Sequence, residues 1–249
     1  NLMELLLLID AARRASAKYV TAVVPYFGYA RQDRKDKPRV AIGAKLIANL
    51  FSAAGADRLM TCDLHAGQIQ GFFDFPVDHF SGSIRFVPYL SKLPTDNLIF
   101  ASPDVGGVKR ARNFAQYFQT NMVVCDKERK RANQVESMQV IGDVEGKDVV
   151  LVDDLVDTAG TLCKAARILK EKGANTVRAI STHAVLSGNA YENIEGSELE
   201  ELIVTDTIPL KKQCSKIKVL TVAELFSGGI SKIHKHESIS PLFISKTRF

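Results

Sequence analysis

The stretch from Val149 to Thr161 restricts the fold more than any other part of the chain. Val149, Val150, Leu151 and Val152 form an unbroken apolar run of strand length, the pattern of a strand covered on both faces in a parallel sheet. Two carboxylates follow, Asp153 and Asp154. A short Asp157-Thr158-Ala159-Gly160-Thr161 turn then opens onto a helical stripe of Leu162, Ala165, Ala166 and Leu169. Such a turn suits a phosphate group. Thr158 and Thr161 bring hydroxyls, Gly160 lets the backbone come close to an anion, and the following helix offers unpaired N–H groups at its positive end. Asp153 and Asp154 stand where carboxylates can hold ribose hydroxyls or a hydrated magnesium ion. An ordinary capped turn accounts for the glycine but not for all of these features in register.

The rest of the chain repeats the strand-then-helix rhythm. Helices are expected at 3–18, 42–54, 109–118 and 162–172, and strands at 19–24, 58–62, 98–101, 122–125, 149–152 and 177–182. The first helix is apolar on more than one face and is expected to be well buried. Gly55 closes the second in the usual cap position. Residues 138–141 and 149–152 flank a Gly-Asp and Glu-Gly turn region and read as a hairpin. Gly55 to His65 and Gly173 to His183 echo one another at equal spacing, which suggests two similar halves meeting near residue 80. The alternation predicts an α/β fold with mostly parallel sheets.

At 249 residues the chain is long enough for one large or two modest domains, and 46% hydrophobic with 24% charged residues is ordinary for a globular protein. The apolar run at 5–9 is cut short by Asp10, Arg13 and Arg14, and no secretory cleavage pattern is seen, so a cytoplasmic protein is expected. Cys62, Cys125, Cys163 and Cys214 are widely spaced and are expected as buried free thiols in a reducing compartment. A net charge of +5 admits anionic partners, polyphosphates and nucleic acid alike.

Local arrangement favours polyphosphate. Asp63-Leu64-His65 ends a strand, the place where open α/β sheets take ligands, and His65 is placed to meet a metal or a phosphate. A structural histidine is an equal reading there. Ser102-Pro-Asp-Val-Gly-Gly107 also joins a strand to a helix. Gly106 and Gly107 free its backbone, Lys109 and Arg110 put positive charge where a helix disfavours it and so call for an anion, and Asp104 is a candidate magnesium ligand. The basic segment 31–37 mixes signs and is largely a solvated face. Lys127-Glu-Arg-Lys-Arg131 follows a buried strand, and no apolar periodicity ties down 126–137, so it reads as a mobile basic arm able to close over a charged substrate. No aromatic residue is interleaved to stack bases, which argues against nucleic acid.

These segments, with Tyr29-Ala-Arg-Gln-Asp33 and Asp63-Leu-His-Ala-Gly-Gln-Ile-Gln-Gly-Phe-Phe-Asp74, resemble in their order the ribose-phosphate pyrophosphokinase family of the type I phosphoribosyltransferase superfamily. The resemblance covers essentially the whole chain. It implies two phosphoribosyltransferase-like (Rossmann-like) domains with mostly parallel central sheets: 1–80, and 81–237 carrying the ribose-5-phosphate turn, with 238–249 completing the first. It implies transfer of pyrophosphate from MgATP to ribose 5-phosphate, giving phosphoribosyl pyrophosphate and AMP, in dimers that usually assemble to hexamers. By position, Arg31 and Gln32 bind ATP, and His65 and Asp104 serve its magnesium. Lys127 and Arg129 are the catalytic pair, Arg129 also touching substrate, and Asp153 with Asp157, Thr158, Ala159, Gly160 and Thr161 holds ribose 5-phosphate. The chain departs from the family in two places. Asn1 falls well inside the first domain, so a fragment or an incomplete ATP site is expected, and Gly67 stands where many members have serine.

Two other readings use part of this evidence. A nucleobase phosphoribosyltransferase shares the ribose-phosphate turn but leaves the Asp-Leu-His segment and the two halves unexplained. A non-catalytic, synthetase-associated regulatory subunit has no need of the Lys127-Glu-Arg-Lys130 charge pattern.

Overall fold

The computed structural model describes residues 1–128 and 137–243. The chain divides into two compact units, 1–81 and 82–249.

The first unit carries α1 (Leu2–Arg14), β1 (Thr21–Val23), α2 (Gly43–Ala54), β2 (Arg58–Cys62), a 3-10 helix at Gly67–Phe72 and β3 (Val77–Phe80). Its three strands are parallel in the order β1-β2-β3. Ile47, Ala48 and Phe51 of α2 pack with Leu59 of β2 and with Ile9 of α1. The sequence reading of α1 as a well-buried helix is corrected. Only Ile9 is buried, with Leu2, Leu5 and Leu6 beside the core, whereas Met3, Leu7 and Leu8 are 67%, 64% and 62% exposed. A helix on one side of a thin sheet has a single covered face, however apolar its far side. The helix also stops at Arg14, four residues before the predicted end, where Ser16 turns left-handed at φ 65° and Ala17 N donates back to Ala12 O (3.0 Å), and that end is tied down by Arg13. Its Nε donates to Gly55 O (2.6 Å) and its guanidinium pairs with Asp57, whose other oxygen accepts from Val20 N (2.7 Å). Gly55, at φ 98°, caps α2 as expected; a Cβ there would sit 2.9 Å from Arg13 Cγ.

The second unit contains α3 (Ser83–Leu90), β4 (Leu98–Ser102), α4 (Val108–Phe118), β5 (Met122–Glu128), β6 (Ser137–Ile141), β7 (Asp148–Val156), α5 (Gly160–Glu171), β8 (Thr176–Ala184), α6 (Ala190–Glu195), β9 (Glu201–Thr205), β10 (Ile217–Leu220), α7 (Ala223–His234) and a 3-10 turn at Ser240–Leu242 beside α7. Seven strands run in the order β10-β9-β8-β7-β4-β5-β6, parallel except for the β5–β6 pair. Along β7 the side chains alternate between two cores. Val149 and Leu151 join Leu162, Ala165 and Leu169 of α5, while Val150 and Val152 join Ala111 and Phe114 of α4. Burying each such Val or Leu is worth about 1.5–3 kcal/mol, which is why so apolar a strand takes the centre of the sheet.

That preference overturns the expected hairpin between 138–141 and 149–152. β6 instead pairs antiparallel with β5, Lys127 opposite Met138 and Val124 opposite Ile141, while β7 lies between β4 and β8. Ile141 is 61% exposed and suits an edge; Val149 to Val152 do not. Of the expected mobile arm, Asp126 to Glu128 continue β5 and 129–136 lie outside the described residues. The glycine-to-histidine echo holds as helix, left-handed glycine (Gly55, Gly173) and strand, but His65 is exposed in a loop and His183 is buried within β8. All four cysteines are free, Cys62 and Cys125 buried and Cys163 and Cys214 only half-buried. Among the described residues no helix is long and apolar enough to cross a membrane.

Candidate active site

β4 and β7 are neighbours in parallel register, Ala101 opposite Leu151, so the segments that follow them leave from the same edge of the sheet. β7 runs on past its apolar stretch to Val156, so Asp153 and Asp154 are strand residues and the turn begins at Asp157. Their carboxylates point at one cation. Arg110 of α4 places Nη1 3.2 Å from Asp154 Oδ1 and 3.7 Å from Asp153 Oδ1. The anion called for by the basic start of α4 is therefore, for Arg110, the chain's own acidic pair, whereas Lys109 is exposed. Asp153 Oδ1 also accepts from Asp154 N (2.8 Å). Burial, then the neighbouring Asp154, pushes the Asp153 carboxyl up to about 8; Arg110 opposes the rise and Asp104 adds to it. An acid so crowded gains from hydroxyl donors or a cation.

The turn itself is clamped from behind. The Ser187 hydroxyl donates to the Asp157 carboxylate, Ser187 N donates to Asp157 O (3.0 Å), and Asn193 Nδ2 donates to Thr158 O (2.9 Å). Ala159 sits in the left-handed region at φ 61°, an uncommon conformation for a residue with a Cβ, and is buried. Cys163 N donates to Ala159 O (2.9 Å) at the start of α5, and among the described residues no side chain caps that helix. The first turn of the helix presents its positive end here, with Thr158 exposed and Thr161 half-buried beside it. A Cβ on Gly160 would meet only Thr158 Oγ1, at 3.8 Å, so the protein's own packing does not demand glycine there. An approaching anion would.

The segment after β4 is built differently. Buried Ser102 donates Oγ to Asp104 O (2.5 Å), and Gly107 N donates to Asp104 Oδ1 (2.9 Å). A Cβ on Gly107 would stand 2.7 Å from Ser102 Oγ and, at ordinary contact, 3.6 Å from Val152 O, so this glycine is required by its close approach to Ser102 at the end of β4. Asp104 is exposed. Lys127 lies in β5, next to β4, and Arg129 lies outside the described residues. The second unit thus brings Asp104, Asp153 and 157–161 to one sheet edge.

Arg31, Gln32 and His65 belong to the first unit and are exposed. Gln32 is held at the start of α2, where its carbonyl accepts from Ala44 N (3.1 Å). His65 follows β2 in a loop fixed by Asp63 N to Phe80 O (2.9 Å) and Leu64 N to His79 Nε2 (2.8 Å). Sequence reasoning overlooked His79 because it did not recognise β3, and missed Ser187 and the partners of Arg110 because those contacts depend on neighbours across the fold. Among the described residues no group of three or more His, Cys, Asp or Glu could hold a metal by itself. Exposed Asp104 fits a hard cation such as magnesium, which keeps most of its water and is carried largely by a ligand's phosphates.

A mostly parallel sheet whose central strand carries an acidic pair and runs into a tight turn at the head of a helix defines an α/β protein of the phosphoribosyltransferase type. Comparison with known proteins narrows this. Residues 1–55 match the N-terminal domain of ribose phosphate pyrophosphokinase, and 129–244 match the phosphoribosyl synthetase-associated domain. The ribose-phosphate pyrophosphokinase of Porphyromonas gingivalis is 59% identical over 244 residues, 98% of this chain and 78% of that protein. The Campylobacter jejuni protein of the same name is 59% identical, over 98% of this chain and 79% of its own length. The crystal structure of phosphoribosylpyrophosphate synthetase from Mycobacterium smegmatis superposes with a TM-score of 0.89 at 39% identity, covering 94% of this chain and 78% of that one. The chain belongs to the ribose-phosphate pyrophosphokinase family of enzymes.

Proposed function

We propose that the protein transfers the β,γ-pyrophosphoryl group of ATP to the 1-hydroxyl of ribose 5-phosphate, giving phosphoribosyl pyrophosphate and AMP for nucleotide biosynthesis. The observation that carries this reading is the turn 157–161. It is held open by Ser187 and Asn193, uncapped at α5, and preceded by an acidic residue able to take ribose hydroxyls. The 5-phosphate lies on the α5 amides and the Thr158 and Thr161 hydroxyls, and Asp153 orients the sugar. Arg31, Gln32 and His65 bind ATP. His65 and Asp104 serve its magnesium, which neutralises phosphate charge and helps align the chain. The 1-hydroxyl attacks the β-phosphorus in line, AMP leaves, and Lys127 and Arg129 stabilise the charge that builds on the phosphoryl oxygens. Little covalent work falls to the protein, so positioning and neutralisation supply the rate. The same reading includes the domain division 1–80 and 81–237 with 238–249 completing the first, a cytoplasmic location, and a homo-oligomer built from dimers, usually hexameric.

The test is a label balance. With Mg²⁺, ribose 5-phosphate and γ-labelled ATP, label appears in phosphoribosyl pyrophosphate with an equal yield of AMP. Formation of ADP, or no reaction without a nucleobase or an added catalytic subunit, contradicts the reading.

A further inference from the structure

The His65 loop depends on a residue that the proposed chemistry does not use. Asp63, just past β2, sits at φ 36°, in the left-handed region that a residue with a Cβ rarely enters, so something must hold it there. The hold comes from β3. Arg58 Nη1 donates to both oxygens of buried Asp78 (2.9 Å each), fastening β3 to β2 in a register with Thr61 opposite His79 and Cys62 opposite Phe80. The end of β3 then acts as a template for the chain leaving β2. Phe80 O accepts from Asp63 N (2.9 Å), and the His79 ring accepts from Leu64 N through Nε2 (2.8 Å). Leu64 drives its side chain into the core, and His65 emerges exposed as the next residue. A ring nitrogen that accepts carries no proton, so the His79 hydrogen is on Nδ1.

We propose that His79 is a positioning residue for this loop, setting where His65 meets the nucleotide by accepting the Leu64 amide. The inference rests on the reading that His65 serves ATP. Leaving a part-buried amide unpaired is destabilising, and here the destabilisation falls on the loop that carries His65. His79→Leu keeps the bulk and removes the acceptor. His79→Gln presents a carbonyl oxygen at a similar reach.

Amide exchange at Leu64 tests the hold itself, and steady-state kinetics of the full chain tests its consequence. In His79→Leu, Leu64 exchange speeds up and the KM for ATP rises by about tenfold each, while the KM for ribose 5-phosphate stays within about twofold. His79→Gln returns both to within about threefold of the parent. Unchanged Leu64 exchange overturns the proposal. Equal rises in both KM values, or a Gln variant no better than Leu, reduce His79 to general packing and overturn it too. His65→Ala separates the two layers. If it leaves the KM for ATP unchanged, the placement of ATP on His65 fails and takes the kinetic consequence with it, while the exchange measurement still decides whether His79 holds the loop.

Discussion

Asp153 is a carboxyl kept in a place that disfavours its charge. With its folded-state value raised to about 8, the folded chain holds a proton that the unfolded chain has already lost over the interval from the ordinary carboxylate range up to about 8. The stabilisation is full below the ordinary range and disappears as pH rises through about 8. Asp153→Asn removes the titration. The ligand-free variant therefore loses less stability between pH 5 and 9, and at pH 9 its Tm rises by a few degrees, since each ~1 kcal/mol is worth about 2–4 °C in a chain of this size. Its function suffers in return, the KM for ribose 5-phosphate rising by about tenfold or more as the carboxyl's hydrogen bonds to the sugar hydroxyls are lost. Calorimetry across pH beside steady-state kinetics checks both signs. A variant with the parent's pH slope would mean that Asp153 does not carry the proton. Arg110 is the counterweight, close enough to both carboxylates to temper the repulsion between them.

At the scale of elements, the 157–161 turn is held by neighbours 30 and 35 residues away in sequence. Ser187 and Asn193 tether Asp157 and Thr158 from the β8–α6 connection and from α6, and they permit Ala159 to stay at φ 61°. Ser187→Ala frees the Asp157 carboxylate. It should raise the KM for ribose 5-phosphate by about five- to tenfold, as one charged hydrogen bond is lost, with the KM for ATP near its parent value. Equal changes for both substrates would mean the tether supports the whole unit rather than the turn. The β5–β6 pair makes the complementary prediction. Lys127, proposed to act as charge builds, should on replacement by alanine cut kcat by about a thousandfold or more while ATP affinity falls by less than about tenfold. Direct ATP binding beside turnover separates the two, and matched losses would assign Lys127 to ground-state binding.

Over the whole molecule, the parts legible in the sequence are those whose chemistry is local. The Val149–Val152 run demands two covered faces, Gly55 needs a left-handed cap, and the Thr158–Thr161 turn needs no partner to be recognised. What was not legible depends on distant partners. β3 reads Val-Asp-His-Phe, unpromising as a strand until Arg58 neutralises Asp78 and Leu64 occupies His79. The expected hairpin failed because sequence proximity favoured 138–141 beside 149–152, while burial sends β7 to the centre and leaves β6 on the edge. Gly106 and Gly107 looked like one anion cradle, yet Gly107 is explained by its close approach to Ser102 Oγ. For the candidate site, the side chains proposed to meet ligands were named from the sequence, whereas His79 and Ser187, and the pairing of Arg110 with Asp153 and Asp154, emerge only from contacts across the fold. The most direct measurement is a crystal structure of the protein with ribose 5-phosphate. The phosphoryl group should rest on the amides and hydroxyls of 157–161 with the sugar hydroxyls toward Asp153, whereas a sugar phosphate bound elsewhere, with that turn holding nothing, would contradict the account.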